Sequence, residues 1–136
     1  RRERFDQMFT RYCHAHPNFF APVAAKAAWD HGENWLNSCL SYIQKNDQFV
    51  RKFAEDTWHE DVWISPLEGT YLQWIDFRKL ESDDEKLRRK MLYQAHVAMD
   101  EGSMFGPEGN GFERLNLARP RNLIEEIMNR IAAALR

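Results

Sequence analysis

The 136-residue sequence is poor in features that mark several functional classes. It has only two cysteines, Cys13 and Cys39, which excludes a disulfide-stapled secreted scaffold and favours a reducing, cytoplasmic compartment. Its 19 lysines and arginines do not outnumber its 21 aspartates and glutamates, so it lacks the basic excess of a dedicated nucleic-acid-binding protein. No apolar run is long enough to span a bilayer, so no membrane segment is expected.

Motifs for metal, nucleotide and serine-hydrolase chemistry are also missing. His14 and His16 form a pair, but no Cys/His cluster completes a ligand set, and Trp63 stands where an H-E-x-x-H motif starting at His59 needs its second histidine. The glycines of residues 102–111 form neither a dinucleotide fingerprint nor a phosphate-binding loop, and no G-x-S-x-G elbow is present. The sequence therefore predicts no metal site, and it favours a plain connection between strands at these glycines.

Apolar residues, in contrast, are plentiful. They make up 43% of the chain, and five tryptophans and nine phenylalanines must go into a core or onto a contact surface. A chain of this length can bury a core of its own. The sequence opens Arg1-Arg2-Glu3-Arg4 without a methionine, which suits a chain cut from a longer protein.

The pattern of apolar residues changes along the chain. Helical periodicity dominates residues 1–57, including a long helix from about Glu33 to Asp56. Residues 58–136 then follow the order β-β-α-β-β-α, and Ser82 with Glu85 forms a capping-box pattern before the first helix of that region. The four expected strands are 62–64, 70–77, 96–99 and 112–117. We predict an α/β (α+β) fold, with helices on one face of a small, mostly antiparallel sheet.

Arg114 is the sharpest single feature. Alternation along residues 112–117 places Leu115 and Leu117 on one face and Arg114 on the other, where its planar fork can bind a carboxylate through two parallel bonds. Spacing alone favours the ordinary interpretation, which is an exposed arginine on a solvated sheet face.

Several segments in order resemble one known family. Residues 17–36, the stretch Ser65–Asp76 with its P-x-E-G-T-Y-L-x-W-x-D pattern, and residues 102–121 with G-x-x-F-G and G-F-x-R-L-N-x-A resemble class I/II aminotransferases. The likeness points to the cystalysin and cystathionine β-lyase branch of C–S lyases, and it runs from about Pro17 to the C-terminus. Departures at Gln73, Met104 and Arg119 leave substrate preference open.

The resemblance implies a particular part of an enzyme. It implies the C-terminal (small) domain of a pyridoxal-phosphate (PLP) enzyme with the aspartate aminotransferase-like fold, in which helices of residues 1–57, including the connecting helix, precede a domain of residues 58–136. It also implies that Arg114 binds the substrate α-carboxylate. The residues expected near that site are Gly69, Phe105, Gly106 and Asn116.

The lysine that would bind PLP is absent. None of the six lysines stands in the expected S-x-x-K setting, and Lys26, the one considered, lies in a helix-forming run that favours a solvated face. We therefore expect no catalytic residue in this chain, no stable PLP binding, and dependence on a large PLP-binding domain elsewhere in a homodimeric enzyme.

Three functions remain open from the sequence. The first is β-elimination of a thiol from a cysteine-like amino acid, and the second is transamination through the same carboxylate contact. A third, of another class, is a non-catalytic α/β interaction domain whose exposed aromatics bind a partner.

Overall fold

The computed structural model describes residues 1–12 and 18–136. The sequence features at Cys13, His14, His16 and Pro17 lie outside this part. The helices are α1 (Arg2–Tyr12), α2 (Ala21–His31), α3 (Glu33–Trp58), α4 (Asp84–Arg89) and α5 (Arg121–Ala134). The strands are β1 (Trp63–Ile64), β2 (Leu72–Asp76), β3 (Asp100–Glu101) and β4 (Phe112–Asn116).

The chain divides into two compact units within α3. The first unit is Arg1–Cys39 and the second is Leu40–Arg136. The second half of α3 thus groups with the sheet, whereas the sequence analysis placed the boundary between residues 57 and 58. That domain boundary remains a prediction.

The first unit leaves its apolar side chains uncovered. Neither α1 nor α2 has a buried residue. α2 starts behind Asn18, whose Oδ1 accepts from the amides of Phe20 and Ala21 at 3.1 and 2.9 Å. It ends at Gly32, whose amide donates to the Ala28 carbonyl at 2.8 Å. The large exposed side chains of this unit are Phe5, Met8, Phe9, Tyr12, Phe19, Phe20, Val23, Trp29, Trp35 and Leu36.

The second unit contains a four-stranded sheet in the order β1-β2-β4-β3, with every pair antiparallel. Burial alternates along β2 and β4, because successive side chains of a strand point to opposite faces. Leu115 and Leu117 are buried while Arg114 lies on the other face, as the alternation predicted. This confirms the small antiparallel sheet.

Helices cover one face of this sheet. α3 contributes Val50, Ala54 and Trp58 to the core, and the Trp58 ring meets Phe77 edge-on with ring centroids 5.8 Å apart. α5 adds buried residues at helical spacing, and α4 with the π-helical turn Lys90–Gln94 adds two more. The buried residues of these last elements are Leu87, Met91, Ile124, Met128, Ile131 and Ala132. None of the described helices is long and apolar enough to cross a membrane.

Two local predictions were wrong. α4 is capped by Asp83, whose side chain accepts from the Lys86 amide at 3.1 Å, and not by the Ser82 of the capping-box pattern. Residues 96–99 are not a strand, because the backbone turns sharply at His96 and Val97 is bonded back to the preceding helical turn. His96 has φ +54, and the Val97 amide donates back to the Met91 carbonyl at 2.9 Å. The strand starts only at residue 100.

A polar cluster joins α3 to the sheet. Asn46 is fully buried, and its Nδ2 donates to the carbonyls of Leu117 and Arg119 at 2.8 and 3.0 Å, just beyond β4. Arg51 donates from Nη1 to the Ile64 carbonyl of β1 at 3.1 Å. These bonds fix both the β1 edge and the exit of β4 against the same helix.

Candidate functional site

The candidate site starts from a row of side chains across the outer face of the sheet. Arg114 of β4 lies directly opposite Trp74 of β2 and Asp100 of β3. Side chains opposite each other on neighbouring strands share a face and lie within contact distance. The register therefore places an aromatic ring on one side of Arg114 and a carboxylate on the other.

Arg114 is held by two of its neighbours. Its Nε and Nη2 both donate to Asp100 Oδ2, at 3.1 and 2.6 Å. Its guanidinium carbon lies 4.7 Å from the centre of the Phe105 ring, within the range of a cation–π contact. The side chain remains 30% exposed, so the guanidinium is ordered but accessible to a ligand.

Aromatic rings continue from Phe105 along the outer face. Trp74 meets Phe105 edge-on at 5.4 Å and stacks on Phe112 at 5.6 Å. At the far end, the guanidinium of Arg78 lies 4.6 Å from the Phe112 ring centre and pairs with Asp76. The hydrogen bond from Arg78 lowers the pKa of Asp76 below its ordinary value, so that carboxylate stays charged beside its partner.

A glycine-containing loop between β3 and β4 positions Phe105. Gly102 and Gly109 approach so closely that a Cβ on Gly102 would lie 2.0 Å from the Gly109 carbonyl oxygen. Gly106, with φ +132, follows Phe105 in a conformation that favours glycine. The close approach of Gly102 and Gly109 and the turn at Gly106 thus place the Phe105 ring against Arg114.

A cleft of about 510 Å³ opens beside Arg114, where residues 96–99 diverge from β4. Asn116 also lines it, while Asn116 Oδ1 accepts from the Ala118 amide at 2.9 Å. Asp100 lines the cleft too, and the remaining walls come from residues 96–99, from Leu115 and Arg119, and from the α5 side chains Leu123, Ile127 and Arg130. The structure thus places Asn116 beside Arg114 in the cleft, and a role for Asn116 near a substrate remains a prediction.

Gly69 lies in the turn before β2 and is not among the residues that line this cleft. No heavy atom outside its neighbours lies within 4 Å of the Cβ it would carry. The next residue, Thr70, has φ +64, and its Oγ1 accepts from the Leu72 amide at 3.1 Å. A role for Gly69 near a substrate remains a prediction.

Sequence reasoning missed Asp100 and Trp74 as neighbours of Arg114. Their place follows from strand register, which the sequence alone does not specify across a loop. The Trp of the T-Y-L-x-W pattern was one available signal, since it alternates with the buried Gln73 and Ile75 and so lies on the outer face of β2. For Asp100 no comparable pattern existed, because β3 has only two residues.

The opposite face of β4 carries a second unusual group. Glu113 is 2% exposed, and its Oε2 has no hydrogen-bond partner among the described residues. Burial, helped by the negative charges of Glu101, Asp84 and Asp100, raises the pKa of this carboxyl to about 8. Glu113 therefore holds a proton at neutral pH and lies within the core rather than at the Arg114 surface.

The lysines of the described residues lie away from the Arg114 cleft. None of the six lysines lines the cleft, and four of them pair with nearby carboxylates on the same or a neighbouring turn or segment. Those four are Lys26, Lys52, Lys86 and Lys90. Within residues 1–12 and 18–136, no group of three or more His, Cys, Asp or Glu side chains could hold a metal ion.

The sequence model of the family described as "Aminotransferase class I and II" matches residues 2–131. The cystathionine beta-lyase PatB of Bacillus subtilis is 33% identical over 118 residues, which cover 87% of this chain and 30% of that protein. The crystal structure of cystalysin from Treponema denticola, which contains PLP, has a TM-score of 0.74 and 41% identity over 79% of this chain and 27% of the other. A PLP-bound C–S lyase from Staphylococcus hominis superposes with a TM-score of 0.82 and 26% identity, covering 98% and 35%.

These matches confirm the fold predicted from the resemblance. The small antiparallel sheet with its preceding long helix is part of the PLP-dependent transferase fold. The chain spans about 30% of the length of the curated relative it matches.

Proposed function

Because the chain belongs to the class I and II aminotransferase family, we propose that it is the C-terminal, carboxylate-binding part of a PLP-dependent C–S β-lyase. In this proposal Arg114 binds the α-carboxylate of a cysteine-like amino acid, and the whole enzyme breaks the bond between Cβ and sulfur. The thiol leaves, and water hydrolyses the remaining aminoacrylate to pyruvate and ammonia.

One observation carries the proposal. Arg114 is ordered by Asp100 and Phe105 while remaining 30% exposed beside a cleft of about 510 Å³. A rigid, accessible guanidinium suits bidentate recognition of a carboxylate. A carboxylate held there is fixed relative to the Cα–H bond, which must be correctly oriented before its proton is removed.

The cofactor belongs to the rest of the proposed enzyme. When bound, PLP supplies an electron sink for the carbanion at Cα. The lysines of this chain do not suit that cofactor, since none lines the Arg114 cleft. We expect that the isolated chain mixed with PLP gives no stoichiometric lysine adduct by absorbance or mass spectrometry; an adduct would contradict this assignment.

The exposed apolar side chains of Arg1–Cys39 support the proposal that another domain or subunit contacts this unit. Trp29 and Phe19 are 88% and 86% exposed, and nothing in the described part of this unit buries them. Large apolar surfaces of this kind mark contact sites. We propose that the large PLP-binding domain, and the second subunit of a cytoplasmic homodimer, cover them.

The test is Arg114→Ala in the full-length enzyme. We expect KM for S-methylcysteine to rise strongly, by about 100-fold, the scale of a lost charge-assisted bidentate contact. An amine of the same shape without the carboxylate, 2-(methylthio)ethylamine, should bind the variant as well as it binds the wild type. Arg78→Ala is the matched control, because Arg78 lies on the same sheet face over Phe112.

Equal losses for both compounds, or an equal loss in the Arg78 variant, would remove Arg114 from its role. Transamination uses the same carboxylate contact and is the second candidate from the sequence. Product analysis separates the two, since elimination releases a thiol and ammonia whereas transamination yields a sulfur-containing keto acid. If the full-length protein catalyses neither elimination nor transamination, the result favours the hypothesis of a non-catalytic interaction domain.

A further inference from the structure

Asp100 occupies one edge of the Arg114 guanidinium and leaves another edge open. Both bonds from Arg114, from Nε at 3.1 Å and Nη2 at 2.6 Å, go to the single oxygen Asp100 Oδ2. Among the described residues, none accepts a hydrogen bond from Arg114 Nη1. The edge formed by Nη1 and Nη2 can therefore receive two carboxylate oxygens in parallel.

The fold places Asp100 for this contact. β3 consists of Asp100 and Glu101 alone, and its register sets Asp100 directly opposite Arg114. Phe105 lies against the face of the guanidinium, which restricts the tilt of its plane. Asp100 restricts the rotation within that plane, so together the two contacts define where the open edge points.

We propose that Asp100 is a positioning residue that holds Arg114 in the orientation needed to bind the substrate α-carboxylate. The proposal rests on the carboxylate-binding role proposed for Arg114. It adds that the ion pair persists when substrate is bound, rather than being displaced by it. Asp100 itself does not touch the substrate.

Asp100 has an opposing effect, because its charge repels a second carboxylate. Two carboxylates on adjacent edges of one guanidinium lie about 6 Å apart, and at this separation in water their repulsion weakens binding by about threefold. Salt at physiological strength reduces that further. Immobilising a free long side chain on binding weakens affinity by roughly two- to tenfold. The two effects are of comparable size, and the sign of the affinity change in Asp100→Ala shows which of them is larger.

The experiment measures binding to the full-length PLP-loaded enzyme by calorimetry. The probe is 3-(methylthio)propanoate, which has the carboxylate but lacks the amino group and so does not react with the cofactor. Its neutral amide, 3-(methylthio)propanamide, is the matched ligand. We expect Asp100→Ala to weaken the carboxylate about two- to tenfold at 0.15 M salt and to leave the amide unchanged.

Asp100→Asn separates orientation from charge. Its side-chain oxygen still accepts from Arg114 and its neutral side chain no longer repels the ligand, so it should bind the carboxylate at least as tightly as the wild type does. KM for S-methylcysteine should rise in Asp100→Ala but not in Asp100→Asn, while kcat changes little in both variants. Glu85→Ala is the control, because it removes another carboxylate paired with an arginine, Arg88, on the surface of α4.

The outcomes are distinct. Tighter carboxylate binding in Asp100→Ala than in the wild type means that Asp100 competes with the substrate, and it overturns the proposal. Asp100→Asn binding no better than Asp100→Ala would also overturn it, because the retained acceptor would then have no effect. Unchanged binding in Asp100→Ala, with Arg114→Ala still weakening the carboxylate, also overturns it and leaves the proposed function intact. If Arg114→Ala spares the carboxylate as well, the proposed function itself fails.

Discussion

The buried carboxyl of Glu113 gives a quantitative prediction about stability. Glu113 is 2% exposed, and its pKa in the folded protein is about 8 against the ordinary value of 4.5. The folded state thus keeps a proton that the unfolded chain releases between these two values. Unfolding is coupled to proton release in this window, so the free energy of unfolding falls as pH rises from about 4.5 to about 8.

Glu113→Gln removes the ionisation and keeps the size and shape. Using about 1.4 kcal/mol for each pH unit by which the pKa values differ, the penalty from Glu113 is about 1 kcal/mol at pH 5, about 3 at pH 7 and about 5 at pH 9. The advantage of the Gln variant should therefore grow by about 2 to 3 kcal/mol from pH 5 to pH 7, and further by pH 9.

Urea unfolding of the chain at pH 5, 7 and 9, followed by tryptophan fluorescence, measures this difference. Comparing the same variant across pH cancels the effect of the amide group itself. Glu125→Gln, on the exposed side of α5, is the matched control and should show no such trend. A difference between wild type and Glu113→Gln that stays constant from pH 5 to pH 9 would refute a protonated Glu113.

Two further variants test how the site is supported. Gly102→Ala should destabilise the chain by more than about 1 kcal/mol, since its Cβ would lie 2.0 Å from a backbone oxygen of Gly109; Gly69→Ala, with open space, should change urea unfolding little. Asn46→Ala leaves two carbonyls beyond β4 without their donor and should cost about 1 to 3 kcal/mol by the same assay. Equal stability of Asn46→Ala and exposed Asn122→Ala would contradict this.

Much of the fold was predictable because the spacing of apolar residues within one helix or strand is a local property of the sequence. Alternation along residues 112–117 determined which side chains of β4 face the core, and helical spacing determined the long α3. The boundaries were harder. Asp83 and Ser82 are both good N-caps, and only the path of the chain into α4 decided between them.

The site was less predictable, since its parts come from separate strands. Arg114, Asn116 and Phe105 could be named from the resemblance. Asp100 could not, because its contact with Arg114 depends on a two-residue strand that begins only after the left-handed His96 and the backward bond of Val97. Local propensity carries no information about such a register.

Neighbouring residues of β4 face opposite environments, so the register of this strand matters for both stability and binding. A slip of one residue would move Arg114 into the core and Glu113 to the ligand surface. Both ends of β4 oppose such a slip. Gly111, with φ +79, donates to Asp84 Oδ1 at 2.9 Å before the strand, and Asn46 binds the backbone beyond it. The surface around Arg114 that we propose binds a carboxylate therefore depends on contacts made on the other side of the sheet.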